Sequence, residues 1–193
     1  PRPLGLPGEH SLPGQGVAYC ATCDGGFYRG KTVAVAGGGN SAAEDALTLS
    51  KLCKKVYLIH RRDTLSATRS YLKPLEKAEN IEFLWNRQVT GFDVDGTLTG
   101  LTLTDTKTGE ESHLPVDGLF VAIGRQPNTW LVKGQLELDR QGYIVADESC
   151  RTSQPGVFAI GDVRTKPLRQ VVTAVADGAT ASKYLEEYLN GLS

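Results

Sequence analysis

Apolar positions along this chain fall into two rhythms, and each predicts a different element. Thr32–Ala36 is a continuous run of β-branched residues and alanine, the pattern of a strand buried on both faces. A helix is predicted over 40–52, with Ala43, Ala46 and Leu47 at roughly helical spacing and the stripe ending on Cys53. Strands over 56–59 and 81–84 flank a second helix over 67–79, where Pro74 predicts an irregularity. Strand–helix–strand–helix–strand implies a parallel sheet with right-handed crossovers, hence an α/β fold. The rhythm then changes. Segments 89–94, 98–105 and 110–114 alternate apolar and polar, separated by Asp95-Gly96 and Thr108-Gly109, which predicts an inserted β-meander. A buried strand returns over 118–123, and 124–155 is rich in turn residues. A short strand over 157–160 is expected next, ending at Gly161-Asp162. The last helix is predicted over 168–189. Its stripe of Leu168, Val171, Val172, Val175, Ala179, Leu185 and Leu189 is expected to bury against a neighbour. Residues 1–16, rich in proline and glycine without periodicity, read as an extended connector.

Composition narrows the function classes. With 193 residues, the chain fits one large domain or two small ones. A net charge of -1 and no dense Lys/Arg run argue against nucleic acid and anionic membrane as partners. The longest apolar runs, such as 119–123, are far too short to span a bilayer, and Pro1-Arg2-Pro3 opens no signal peptide. Four cysteines without a regular framework suggest a reducing compartment, hence the cytoplasm. Of these, Cys53 and Cys150 read as structural thiols.

The other two sit in Cys20-Ala21-Thr22-Cys23-Asp24. Thiols two residues apart can close a small disulfide ring, one thiolate attacking a substrate disulfide and the other resolving it. Asp24 follows at once, close enough to exchange protons with the pair. The competing reading is half of a zinc site, but zinc needs four ligands and no second Cys-x-x-Cys or paired histidine exists.

Gly37-Gly38-Gly39-Asn40-Ser41-Ala42 follows a predicted strand and opens a predicted helix, fitting the G-x-G-x-x-A dinucleotide fingerprint of Rossmann-like domains. Gly37 permits the tight turn, Gly39 lets backbone approach a pyrophosphate, and Ala42 allows close helix–strand packing. The helix N-terminus offers N–H groups and a positive dipole end to phosphate. About 20 residues past the glycines, NAD sites carry an acid on the ribose 2′-hydroxyl. Here the position holds His60-Arg61-Arg62, which suits the 2′-phosphate of NADPH; the alternative is a solvated basic loop.

Taken in order, Cys-Ala-Thr-Cys-Asp, Gly-Gly-Gly-Asn-Ser-Ala, His-Arg-Arg-Asp and Gly161-Asp162 resemble the low-molecular-weight thioredoxin reductases over nearly the whole chain. The resemblance implies an NADPH-binding domain over 17–119 that carries the redox pair. It also implies the C-terminal part of a second, FAD-binding Rossmann-like domain over 120–193. It assigns Cys20 to attack on thioredoxin, Cys23 to the flavin side and Asp24 to proton transfer. Gly161-Asp162 would hold the ribityl chain of FAD, and Arg169-Gln170-Val171 would lie near its ring. Implied too are passage of electrons from NADPH through FAD and the disulfide to thioredoxin, a homodimer in the complete enzyme, and hinges at Gly16 and Gly124-Arg125. Two features depart from the family. Its further arginine after His-Arg-Arg-Asp is Ser66 here, with Arg69 a partial substitute, and no N-terminal FAD fingerprint precedes the Cys pair. The chain is therefore expected to be the C-terminal part of such an enzyme, binding FAD weakly and reducing little thioredoxin alone. The alternatives are a flavoprotein subunit of a peroxide-reducing system and a non-catalytic NADPH-binding module.

Overall fold

A computed structural model describes residues 1–192. The chain divides into two compact units, Pro1–Arg125 and Gln126–Ser193.

The first unit is an α/β layer structure. Strands Val17–Ala18 (β1), Thr32–Ala36 (β2), Lys55–His60 (β3), Ile81–Trp85 (β4) and Gly118–Val121 (β8) form a five-stranded parallel sheet in the order β1-β8-β2-β3-β4. Helices Asn40–Ser50 (α2) and Arg69–Lys77 (α3) connect the successive strands β2, β3 and β4. The meander is Arg87–Asp95 (β5), Thr97–Asp105 (β6) and Glu111–Pro115 (β7), an antiparallel sheet of order β5-β6-β7. Alternation along β2 divides the core. Val33 and Val35 join Leu58, Phe120 and the small, fully buried Ala42, Ala43 and Ala46 of α2. Ala34 and Ala36 face the other way, into a second cluster with Ile59, Leu119 and the meander's Val89, Leu98, Leu101 and Leu103. The parallel sheet is thus covered on both faces, which is why its central strands read as uninterrupted apolar runs.

Residues 1–16 pack onto this unit. Glu9–Ser11 forms a 3-10 turn, Leu12 is buried, and the buried Glu9 carboxylate accepts hydrogen bonds from the N–H groups of Leu4, Gly5 and Leu6. Gly16 lies within the unit at φ +119, where an added β-carbon would meet Leu98 Cβ at 2.2 Å. One short helix escaped the periodicity analysis: Ala21–Asp24 (α1) is a single turn, too brief to show a period, with Cys20 at its N-cap.

The second unit has a small core of Ile144, Ala146 and Ala159 and a C-terminal helix, Val171–Asn190 (α4). One expectation fails here. Segment 157–160 forms no strand; Phe158 alone makes a β-bridge, to Arg151, because no neighbouring strand extends the ladder. The predicted apolar stripe is exposed along α4. Val171, Val172 and Val175 are 81%, 70% and 67% exposed, while α4 instead turns Asp177 and Ala181 inward.

Candidate functional site

The glycine turn between β2 and α2 forms one wall of a cavity of about 670 Å³. Gly37, Gly38, Gly39, Asn40, Ser41, His60 and Arg61 all line it, as expected of a dinucleotide site. Arg62 is exposed but does not line this space, and Ala42 lies buried beneath it. Each glycine answers a different steric demand. A β-carbon on Gly37 would meet Ala122 O at 2.4 Å and Ala42 Cβ at 2.8 Å; one on Gly38 would strike the His60 ring at 2.2 Å. Above Gly39 the nearest atom to such a carbon is Ser66 Oγ at 3.9 Å, leaving open space where backbone can approach a ligand. The first residue of α2 follows Gly39, which offers no side-chain cap, so the amino end faces the cavity free to receive an anion. These features fit a pyridine dinucleotide.

Ser66, where a third arginine was expected, has a definite role. Its N–H and hydroxyl both donate to Gly38 O, at 2.8 and 3.1 Å. The Asn40 side chain accepts from Thr68 N at 2.8 Å. Segment 61–68 is thereby tied to the glycine turn. His60 packs edge-on to Trp85. Burial lowers its pKa, the Arg62 and Arg61 charges lower it further, and a backbone hydrogen bond at Thr64 opposes them. The uncharged imidazole leaves Arg61 and Arg62 as the cations of the loop.

Cys20 and Cys23 are joined in a disulfide, with Cα atoms 5.3 Å apart. Cys20 Sγ accepts the Cys23 N–H at 3.2 Å. The pair borders a second cavity of about 490 Å³, lined by Tyr19, Asp24, Phe27 and Tyr28 among others. Burial, then the hydrogen bond to Glu9, pushes the Tyr19 phenol up to about 12; burial and the Asp24 charge also raise Tyr28. Both phenols are neutral, and Asp24 lines the same cavity as the disulfide. Cys53 and Cys150 are buried free thiols, both raised by burial.

Sequence reasoning missed Asp45, whose spacing on α2 looks like any polar helical position. Its Oδ1 accepts the Ala21 N–H at 3.3 Å, linking the helix behind the glycine turn to the turn of helix that carries the cysteines. Burial pushes its carboxyl up to about 6 against the Ala21 hydrogen bond; Glu44 adds to the rise and Arg125 opposes it. A raised carboxyl binds its proton more tightly folded than unfolded, so stability falls as pH climbs from the ordinary carboxylate range through 6. Asp45→Asn keeps the acceptor and removes the charge. It is expected to raise stability at pH 7–8 by at most about 3 kcal/mol, with no gain below about pH 4. Urea melts at both pH values check this; equal differences at the two would refute it.

Gly161, Asp162, Arg169, Gln170 and Val171 belong to the second unit. The Asp162 carboxylate is exposed and has no hydrogen-bond or ion-pair partner among the described residues, which suits a hydroxyl-bearing ligand chain. Arg169 is committed within the unit: its guanidinium lies 3.8 Å from the Tyr143 ring centroid and donates to Asp162 O and Arg164 O. Gln170 caps α4 in a reciprocal capping box with Thr173. Behind Gly161 stands a cluster with no local signature in the sequence. Asp177 accepts from Arg164 Nε and Nη2, each at 2.9 Å, from Lys166 Nζ at 2.6 Å and from Gly161 N at 2.9 Å.

A glycine turn opening a helix, a basic loop after the next strand and a Cys-x-x-Cys disulfide thus share one α/β unit. The family model for pyridine nucleotide-disulphide oxidoreductases matches residues 1–178, and the chain belongs to that family. Among curated relatives, the thioredoxin reductase of Streptomyces clavuligerus is 47% identical over 193 residues, covering 100% of this chain and 60% of the relative. Among solved structures, thioredoxin reductase from Streptococcus pyogenes matches with a TM-score of 0.92 at 40% identity, over 98% of this chain and 62% of that one. The Giardia duodenalis enzyme matches at 0.88 and 36% identity, again over 98% and 62%. The chain thus spans about 60% of the length of the curated relatives it matches. Family membership implies binding of a pyridine nucleotide and a flavin. Among the described residues, no helix is long and apolar enough to cross a membrane.

Proposed function

We propose that the protein is a thioredoxin-disulfide reductase that takes electrons from NADPH through FAD, acting in the cytoplasm. The observation that carries this reading is the Cys20–Cys23 disulfide in the same compact unit as the glycine turn and Arg61. In this reading residues 17–119 bind NADPH and residues 120–193 contribute to FAD binding. Bound NADPH would supply a hydride and bound FAD the chemistry that passes it on as an electron pair a disulfide can accept. The two electrons and two protons open Cys20–Cys23 to two thiols. Cys20, as thiolate, attacks the disulfide of thioredoxin; one thioredoxin sulfur leaves and a mixed disulfide forms. Cys23 then displaces the second thioredoxin sulfur, restoring the Cys20–Cys23 bond and releasing the dithiol. The Cys23 N–H already directed at Cys20 Sγ would stabilise that thiolate. Asp24 exchanges the protons. Arg61 and Arg62 bind the 2′-phosphate, and Asp162 the hydroxyls of the flavin's ribityl chain.

The cofactor half of the reading is tested by titrating NADP+ and NAD+ into the protein. Wild type is expected to prefer NADP+. Arg61→Ala is expected to weaken NADP+ by about tenfold to a hundredfold, the loss of one charged hydrogen bond, with NAD+ barely changed. Equal affinity of wild type for both nucleotides overturns it.

A further inference from the structure

The backbone of Arg61 and Arg62 is hydrogen-bonded to the turns that flank the inserted antiparallel sheet. Thr106, in the turn after β6, donates its hydroxyl to Arg61 O at 3.1 Å. Its N–H donates to Asn86 O at 2.8 Å, and Asn86 N in turn donates to Arg62 O at 3.2 Å. Asn86 is the single residue between β4 and β5, and its left-handed backbone (φ 53) points its N–H and carbonyl at these two partners. One residue further on, Lys107 pairs with Asp63 at 3.8 Å, which offsets the acid next to the arginine pair. The carbonyls of both arginines are therefore fixed by a chain of three hydrogen bonds running through Thr106. The far end of the same loop is fixed by Ser66 on Gly38 O. The arginine side chains themselves are exposed and form no ion pair among the described residues.

We propose that Thr106 is a positioning residue that sets the preference for a 2′-phosphorylated dinucleotide by ordering the Arg61-Arg62 backbone before the ligand arrives. This rests on the reading that Arg61 and Arg62 receive the 2′-phosphate. A backbone ordered in advance loses less conformational freedom on binding, so more of its cations' attraction for the phosphate appears as affinity. The effect is selective by geometry. In this reading the pyrophosphate shared by NADP+ and NAD+ would sit at the glycine turn, to which Thr106 makes no hydrogen bond, whereas the 2′-phosphate would be received by the residues whose carbonyls Thr106 and Asn86 hold. The meander is then part of the specificity apparatus rather than a decorative insertion.

Thr106→Val removes the hydroxyl while keeping the shape, and Thr106→Ser restores it. Calorimetric titration of NADP+ and NAD+ into wild type and both variants reads the outcome without turnover. Thr106→Val is expected to weaken NADP+ by about threefold to tenfold, the loss of one neutral hydrogen bond, and to leave NAD+ unchanged. Thr106→Ser is expected to retain wild-type preference. If wild type prefers NADP+ and Thr106→Val preserves that preference, or weakens both nucleotides equally, the positioning role is refuted while the nucleotide assignment stands. If wild type shows no preference, both fall together.

Discussion

Asp177→Ala is expected to destabilise the second unit by about 3–5 kcal/mol, the cost of stripping the partner from buried charge. Arg164 and Lys166 converge on this one carboxylate, and all three side chains are less than a tenth exposed. Removing the acid leaves two cations in the protein interior with no counter-charge. It also releases Gly161 N, so the Gly161-Asp162 turn loses its tether to α4. Asp177→Asn keeps the shape but not the charge, and is expected to lose nearly as much. Arg164, then Lys166 and Gly161 N, holds the Asp177 carboxyl well below the usual carboxylate range in spite of burial. A depressed carboxyl contributes stability that is present above its ordinary pKa and disappears as pH falls through the folded value. Wild type should therefore lose stability in this unit under acid, and the variant should lack that component. Amide exchange over residues 126–192, at neutral and at low pH, measures both. Protection in Asp177→Ala equal to wild type at neutral pH would show that the cluster does not hold the unit together.

If the proposed thioredoxin-reductase reading holds, Cys20→Ser placed in an enzyme that carries the flavin is expected to reduce thioredoxin turnover by at least about a thousandfold, because serine can neither form the disulfide nor attack one. Dinucleotide binding should be unaffected, since neither cysteine lines the cavity at the glycine turn. The thiol inventory gives a second readout. In denatured, unreduced wild type only Cys53 and Cys150 should react with an alkylating agent; in the variant Cys23 should join them. Turnover within a few-fold of wild type, or a Cys53–Cys150 bridge, would overturn the assignment of the redox pair.

The features legible along the chain are those whose physics is local. The period of apolar residues is set by backbone geometry within a few residues, so β2, α2, β3 and the meander were legible with small errors at their ends. The glycine run, the Cys pair and the adjacent arginines announced themselves because their chemistry depends on neighbours in the chain. Features that depend on residues far apart in the chain emerge only once it is folded. Gly38, a variable position in the fingerprint, must be glycine because His60 packs over it. Ser66 secures the basic loop through a carbonyl 28 residues earlier, and Asp45 meets Ala21 across 24 residues. The helix α4 docks within its unit through Asp177, because two cations from the segment around Gly161 converge there, and its apolar stripe stays exposed. A hydrophobic period reports only which residues share a face; which face turns inward is settled by the partners that the rest of the chain brings to it.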